Sequence, residues 1–137
     1  MKRMLACAML LAVVSVGCSN ASSSDVSLSG TNWKLVGWSI SSQHPSSFEI
    51  TANFDEKMVA GKSAVNQYSG TYELSGDGKI TLGPLMSTEM AGSEEDMRAE
   101  NNYINLLTSV KKFAIENGQL LMTDENGNQL LIFSKAE

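Results

Sequence analysis

A chain of 137 residues with 42% apolar and 18% charged side chains has room for one folded domain and is too apolar to be disordered. The formal charge is −5, and Lys2 and Arg3 at the start partly mask a more acidic remainder. Such a surface repels phosphate backbones, and no Lys/Arg stripe offsets it, which argues against nucleic-acid binding and against a polybasic membrane patch.

The first elements read as a leader. Met1-Lys2-Arg3 is a short positive segment, and Met4 to Val16 is an apolar run of about 13 residues, within the signal-peptide range and short for a bilayer span. Val14-Ser15-Val16-Gly17-Cys18 resembles the bacterial lipobox, with Gly17 the small residue before the cysteine and Ser15 a departure from the usual Leu. Residues 1–17 are then a lipoprotein signal peptide, and Cys18 is the residue expected to carry the lipid. An ordinary signal peptide with a chance cysteine is the competing reading. The polar tract Ser19-Asn20-Ala21-Ser22-Ser23-Ser24 supports lipidation, because it suits a flexible tether over residues 18–27. Cys7 lies inside the apolar run, so Cys18 is the only thiol of the processed chain. No internal disulfide, thiolate metal site or thiol nucleophile follows. Acyl chains contribute roughly 0.8 kcal/mol per buried CH₂, so several chains on Cys18 anchor stably. Ser19, in place of the Asp that marks inner-membrane retention in enterobacteria, favours the outer membrane.

From Leu28 the pattern is mostly period two. Trp33 to Trp38 is a strand candidate, and a polar loop runs over Ser39 to Ser47. Phe48 to Phe54 then alternates, with Phe48, Ile50, Ala52 and Phe54 on one face. Asp55-Glu56-Lys57 turns into Met58–Lys62. Gly70–Leu74 and Lys79–Leu82 are joined by a turn rich in glycine, which supplies the positive φ that hairpins need. Ser93 before Glu94, Glu95 and Asp96 is an N-cap with acids in the first helical turn. Met97, Ile104, Leu107 and Val110 recur at helical spacing, and Lys111-Lys112 are expected at the helix end. Phe113–Glu116 and Leu120–Thr123 flank Asn117-Gly118, and Gln129–Ser134 closes the chain. Seven or eight short strands and one helix predict a mainly β (α+β) fold, a small antiparallel barrel or strongly curved sheet closed by the helix.

The ordered motifs from Leu28 to Lys135 resemble the META domain family, which includes heat-shock lipoproteins of the HslJ type. They are Gly30-Thr31-Asn32-Trp33-Lys34-Leu35; then Gly61, Asn66, Tyr68, Gly70 and Tyr72; then Leu85-Met86-Ser87-Thr88-Glu89-Met90-Ala91 after Gly83-Pro84; and a closing Gly127 to Phe133. The resemblance implies a small barrel-like domain over residues 28–137, lipid-anchored or secreted in many members. Heat shock, novobiocin resistance and a likeness to pilotin lipoproteins belong to relatives. Many members carry cysteines just before the central Asn and just after Met-Ala. Val65 and Gly92 stand there in this chain, so the family's bridge is lost as a unit.

Candidate chemistry is sparse. His44 in His44-Pro45-Ser46-Ser47 is better read as a solvent-facing loop residue than as a catalyst, since no acid is placed to orient it. Glu94-Glu95-Asp96 point in different directions on a helix, and Asp124 to Asn128 lacks the following bidentate Glu of a calcium loop. No catalytic residue, metal or cofactor is expected. Asn66 can fix a turn through backbone bonds or contact a ligand; Tyr68 beside it shares that choice, and Trp38 next to the loop is core or partner-facing. Trp38, Asn66 and Tyr68 are therefore the candidate ligand- or partner-binding residues. The eight methionines suit a plastic core or an adaptable surface. The reading is a monomeric, non-enzymatic lipoprotein of the outer membrane that uses a protein-interaction or stress-response module. Its partners are the membrane, through Cys18, and another envelope protein. A small-molecule or lipid-binding barrel contributing to drug or stress resistance is the alternative, and carboxylate acid–base catalysis a third.

Overall fold

The structure is a computed structural model that describes residues 26–137; the leader, Cys18 and most of the tether lie outside the described residues. Nine strands and one helix follow in order: β1 (Thr31–Trp38), a single 3-10 turn (Pro45–Ser47), β2 (Thr51–Phe54), β3 (Met58–Lys62), β4 (Gln67–Ser75), β5 (Lys79–Leu82), β6 (Met86–Ser87), α1 (Glu94–Ser109), β7 (Lys112–Glu116), β8 (Gln119–Thr123) and β9 (Gln129–Lys135). All pairings are antiparallel. The order β3-β2-β1-β9-β8-β7-β5-β4 closes on itself through β3–β4, giving an eight-stranded barrel, and the short β6 pairs with β4 along the edge that β5 also uses. Closure leaves no long open edge to template further pairing. The β5–β7 seam is the narrowest, with Lys79 opposite Lys112 and flanking bonds from Ile80 N–H to Lys111 O and from Phe113 N–H to Gly78 O.

Alternation puts Trp33, Leu35, Ile50, Ala52, Phe54, Val59, Tyr68, Tyr72, Leu120, Met122, Leu131 and Phe133 inside, all buried. Side chains thus fill the barrel, as expected for eight strands. Phe48 and Ile50 keep the face predicted for them, but regular pairing begins only at Thr51. The segment before it coils through the 3-10 turn, and Ile50 makes an isolated bridge to Ser63. Two tyrosines on β4 reach across to β2. Tyr68 donates to Thr51 O at 2.7 Å, Tyr72 donates to Asp55 O, and Tyr72 stacks edge-on with Phe54 at 5.1 Å. Gly61 is required there, because a Cβ on it would run into the Thr51 carbonyl. Asn117 and Gly118 both take positive φ (52° and 75°), the geometry of the tight hairpin their sequence predicts.

The helix starts where expected: Ser93 Oγ accepts from Asp96 N–H at 3.1 Å, with three acids in the first turn. Its other features differ from expectation. The helix ends at Ser109, Val110 caps it, and Lys112 opens β7, so the two lysines do not sit on the last turn. The buried face is Ala99, Glu100, Tyr103 and Leu107; Met97 and Ile104 are half-buried at its margin. Apolar periodicity misplaces the stripe because two of its four positions carry polar atoms. Helix and preceding loop cover one end of the barrel, with Tyr103 reaching in to Tyr68 and Phe133. At the other end Leu28, fully buried, precedes β1 beside the Asp55–Lys57 turn, where Gly30 N–H meets Phe54 O.

Val65 and Gly92, where the resembling family has its cysteines, are in contact. A Cβ built on Gly92 lies 3.4 Å from Val65 Cβ, near the separation that a disulfide spans, and the γ-carbons of Val65 fill the space. The double variant Val65→Cys/Gly92→Cys is expected to oxidise spontaneously and gain on the order of 3 kcal/mol. Gly92→Cys alone, facing the intact valine, is expected to destabilise. Urea unfolding with and without dithiothreitol checks this: a midpoint of the double variant that does not respond to reductant refutes the pairing.

Candidate functional site

The most developed polar site lies where α1 meets the β3–β4 turn. Glu100, only 6% exposed, points from the helix into that turn. Its Oε1 accepts from Asn66 N–H at 2.9 Å and from Ser63 Oγ, and its Oε2 accepts from Asn66 Nδ2 at 2.8 Å. Asn66 is also buried, and its amide is used to capacity. Nδ2 donates further to Met90 O at 3.2 Å, while Oδ1 accepts from Thr88 Oγ1 at 2.9 Å and Met90 N–H at 2.6 Å. Ser63 N–H donates to Asn66 O at 2.8 Å, closing the turn. The cluster therefore clamps three segments: the β3–β4 turn, the strand-like stretch from Thr88 to Met90, and α1. A buried carboxylate costs several kcal/mol unless its lone pairs are met, and here three protein donors meet them.

Beside it, the Tyr68 hydroxyl gives its proton to Thr51 O, so Tyr103 must donate to Tyr68 at 2.6 Å. Burial holds both phenols well above the ordinary tyrosine value. The bond from Tyr103 opposes the shift at Tyr68, and the nearby Tyr68 reinforces it at Tyr103. Tyr72 is raised too, by desolvation first and then by Asp55 and Glu56.

Of the three sequence candidates, Asn66 and Tyr68 fall in this one cluster, and each is saturated by protein partners. Trp38 lies apart, half-buried at the end of β1. Its Nε1–H donates to Gln43 O at 2.9 Å, and its ring packs on Phe48 at 6.5 Å. Gln43 in turn accepts from Asn102 Nδ2 at 3.0 Å and donates to Glu95 O at 3.2 Å, so Trp38 secures the loop that docks on α1. His44 is exposed and meets only Ser46 Oγ, at 3.4 Å. Asp124 accepts from Asn126 and Asn128 N–H, both at 2.9 Å, and holds a turn. Among the described residues, no group of three or more His, Cys, Asp or Glu side chains is placed to hold a metal. Sequence reading missed Glu100, Ser63 and Tyr103. The available signal was a Glu and a Tyr three apart on the face that also carries Ala99 and Leu107.

Outside the barrel, a groove runs over β2, β3, β4 and β6, lined largely by hydroxyl and amide side chains such as Thr51, Asn53, Gln67 and Thr88. Lys62 and Glu49 pair at its rim at 2.8 Å, and Met86, 75% exposed, stands at its edge.

A closed antiparallel barrel, plugged by one helix through a buried carboxylate–amide clamp, defines a class of small domains with filled interiors. Residues 26–137 match the META domain model, and the chain belongs to the META domain family. Among solved structures it is similar to a Burkholderia xenovorans protein determined by NMR (26% identity, TM-score 0.66, 80% of this chain and 83% of that one). A second protein determined by NMR shares the fold at 20% identity and TM-score 0.59, over 80% of this chain and 94% of that one. So does a DUF4847 family protein from Bacteroides vulgatus, at 12% identity and TM-score 0.56, over 78% and 93%. No curated protein matches the chain.

Two predictions follow from the cluster. Glu100→Ala strands the amide donors of Asn66 and is expected to cost about 2–4 kcal/mol, read as a lower urea midpoint; an unchanged midpoint contradicts the clamp. Because the folded tyrosine values are raised, their contribution is complete below the unfolded value near 10 and is lost as pH rises above it. Absorbance near 295 nm should therefore show tyrosinate appearing together with unfolding, by circular dichroism, rather than in a separate step near pH 10.

Proposed function

We propose that this chain is a lipid-anchored cell-envelope protein, held at the outer membrane through Cys18, whose META barrel is a non-enzymatic module for protein interaction or stress response. The observation that carries the second half is the saturation of the interior. Asn66, Tyr68, Tyr103 and Glu100 spend their hydrogen-bonding groups on one another and on backbone, and aromatic and aliphatic side chains fill the barrel. A group already holding all its partners must break them to act on a ligand, at a cost of one to several kcal/mol each. Recognition is then assigned to the outer surface, where the groove beside Met86 and the loop secured by Trp38 are presented.

Support for the anchor is the leader, the single cysteine left after processing and the Ser-rich stretch that follows. Expressed as the full chain in a Gram-negative host, the wild type is expected to incorporate labelled palmitate and to sediment with outer membranes. Cys18→Ser should lose the label and appear in the soluble periplasmic fraction or as unprocessed precursor. A Cys18→Ser protein that stays membrane-bound with the same mature N-terminus overturns the anchor. For the module, capture from solubilised envelope with residues 26–137 as bait should recover a protein. Recovery of a bound lipid or small molecule without a protein would favour the carrier reading instead.

A further inference from the structure

We propose that the barrel end from which the chain runs back toward Cys18 docks on a zwitterionic phospholipid surface, with Val26, Met58 and Leu74 as its contact. The inference rests on the lipidation of Cys18 proposed above and adds to it which face of the domain meets the bilayer.

Among the described residues five large apolar side chains are exposed, and three of them gather at this end: Val26 (45%), Met58 (36%) and Leu74 (36%). Val26 and Leu74 line one groove with Phe113 and Ile115. Leu74 continues into a second groove shared with Lys57 and Tyr72, and Met58 stands at its side, opposite Thr71 in the β3–β4 pairing. The apolar side chains are thus continuous around the rim formed by the Asp55–Lys57 and Gly76–Gly78 turns. The helix, the Trp38 loop and the Asp124–Asn128 turn lie at the opposite end.

The chain itself selects the occupant. Val26 follows Cys18 by eight peptide steps, a reach of at most about 28 Å. A domain of this size is about 34 Å across. An acylated Cys18 therefore keeps the Val26 end near the lipid, and even at full extension its reach is shorter than the domain, so it cannot bring the far end down. At that tether length the effective concentration of surface is on the order of millimolar, so even a weak three-residue contact is populated. Charge decides the lipid class. The two grooves carry Glu56, Glu73, Asp77 and Glu116 against Lys57 alone, a surplus that anionic headgroups repel and zwitterionic ones tolerate.

The full lipidated protein, reconstituted in phosphatidylcholine vesicles, tests this. Acylation leaves no free thiol, so a single introduced cysteine takes an environment-sensitive fluorophore. Label at Leu74→Cys or Met58→Cys is expected to be quenched at least twofold more by headgroup-region nitroxide lipid than label at Asn126→Cys on the opposite end. The difference should shrink as phosphatidylglycerol replaces phosphatidylcholine. Equal quenching at the two ends, or stronger quenching at Asn126→Cys, in a protein that is acylated and floats with vesicles overturns the docking and leaves the anchor standing. Protein that is neither acylated nor floating overturns the anchor and the docking together.

Discussion

The bond set between Glu100 and Asn66 is the constraint on which the rest of the domain depends. A carboxylate on a helix has been placed in a nearly dry site, and the bonds that satisfy it bring the β3–β4 turn beneath α1. Once that turn is fixed, Asn66 has one carbonyl oxygen and one amide hydrogen left, and both go to the stretch from Thr88 to Met90. The segment leading into the helix is thereby held before the helix begins. Tyr68, two residues along β4, points into the barrel, where Tyr103 from the next helical turn meets it. The clamp at the rim and the tyrosine pair beneath it are consequences of the same helix register. A shift of α1 by one residue would break both.

This arrangement also explains the spacing of the signature residues. Asn66, Tyr68, Gly70 and Tyr72 are an i, i+2 series, so all four face one way. Asn66 sits at the rim, Tyr68 at mid-depth and Tyr72 near the far turn, each bonding a different segment. At Gly70 a Cβ would lie 3.1 Å from the Pro84 carbonyl and crowd the tip of Leu85, where the chain kinks between β5 and β6. That kink is why one extended stretch after the Gly76–Gly78 turn pairs with β4 as two strands. The second of them, β6, extends the edge that β5 begins, opposite the start of β4.

Much of the fold was legible because strand alternation and turn chemistry are local. β3 and β5 have the bounds their sequence predicts, and the Asn117-Gly118 hairpin has the predicted backbone geometry. The site was half legible. Asn66 and Tyr68 stand out as polar residues in a turn and on an inward face, but the partners that define their role are 34 and 35 residues away. Glu100 reads as one more acid on an acidic helix, because its burial is decided by where the helix docks and not by its neighbours in sequence. The same non-local packing moved the buried stripe off Met97 and Ile104 onto Ala99, Glu100 and Tyr103, while Leu107 and Val110 are buried as expected. Trp38 could not be assigned from the sequence because its bond to Gln43 depends on the fold of the intervening loop.

The absence of a cysteine pair from the Val65–Gly92 contact can be understood from the same neighbourhood. Val65 and Gly92 flank the clamp directly: residue 66 grips residues 88 and 90 through three hydrogen bonds, and residues 65 and 92 touch beside it. A disulfide stabilises chiefly by restricting the unfolded chain, and its value in the native state lies in holding two segments together. Here the segments are already held by a buried amide and by the packing of valine against glycine. The covalent link is thus stabilising but not required for the geometry. A valine facing a glycine keeps the contact filled, whereas a single cysteine there would leave an unpaired thiol beside the clamp. Val65 and Gly92 keep that contact with no thiol, so the clamp stays intact while the described residues hold no cysteine.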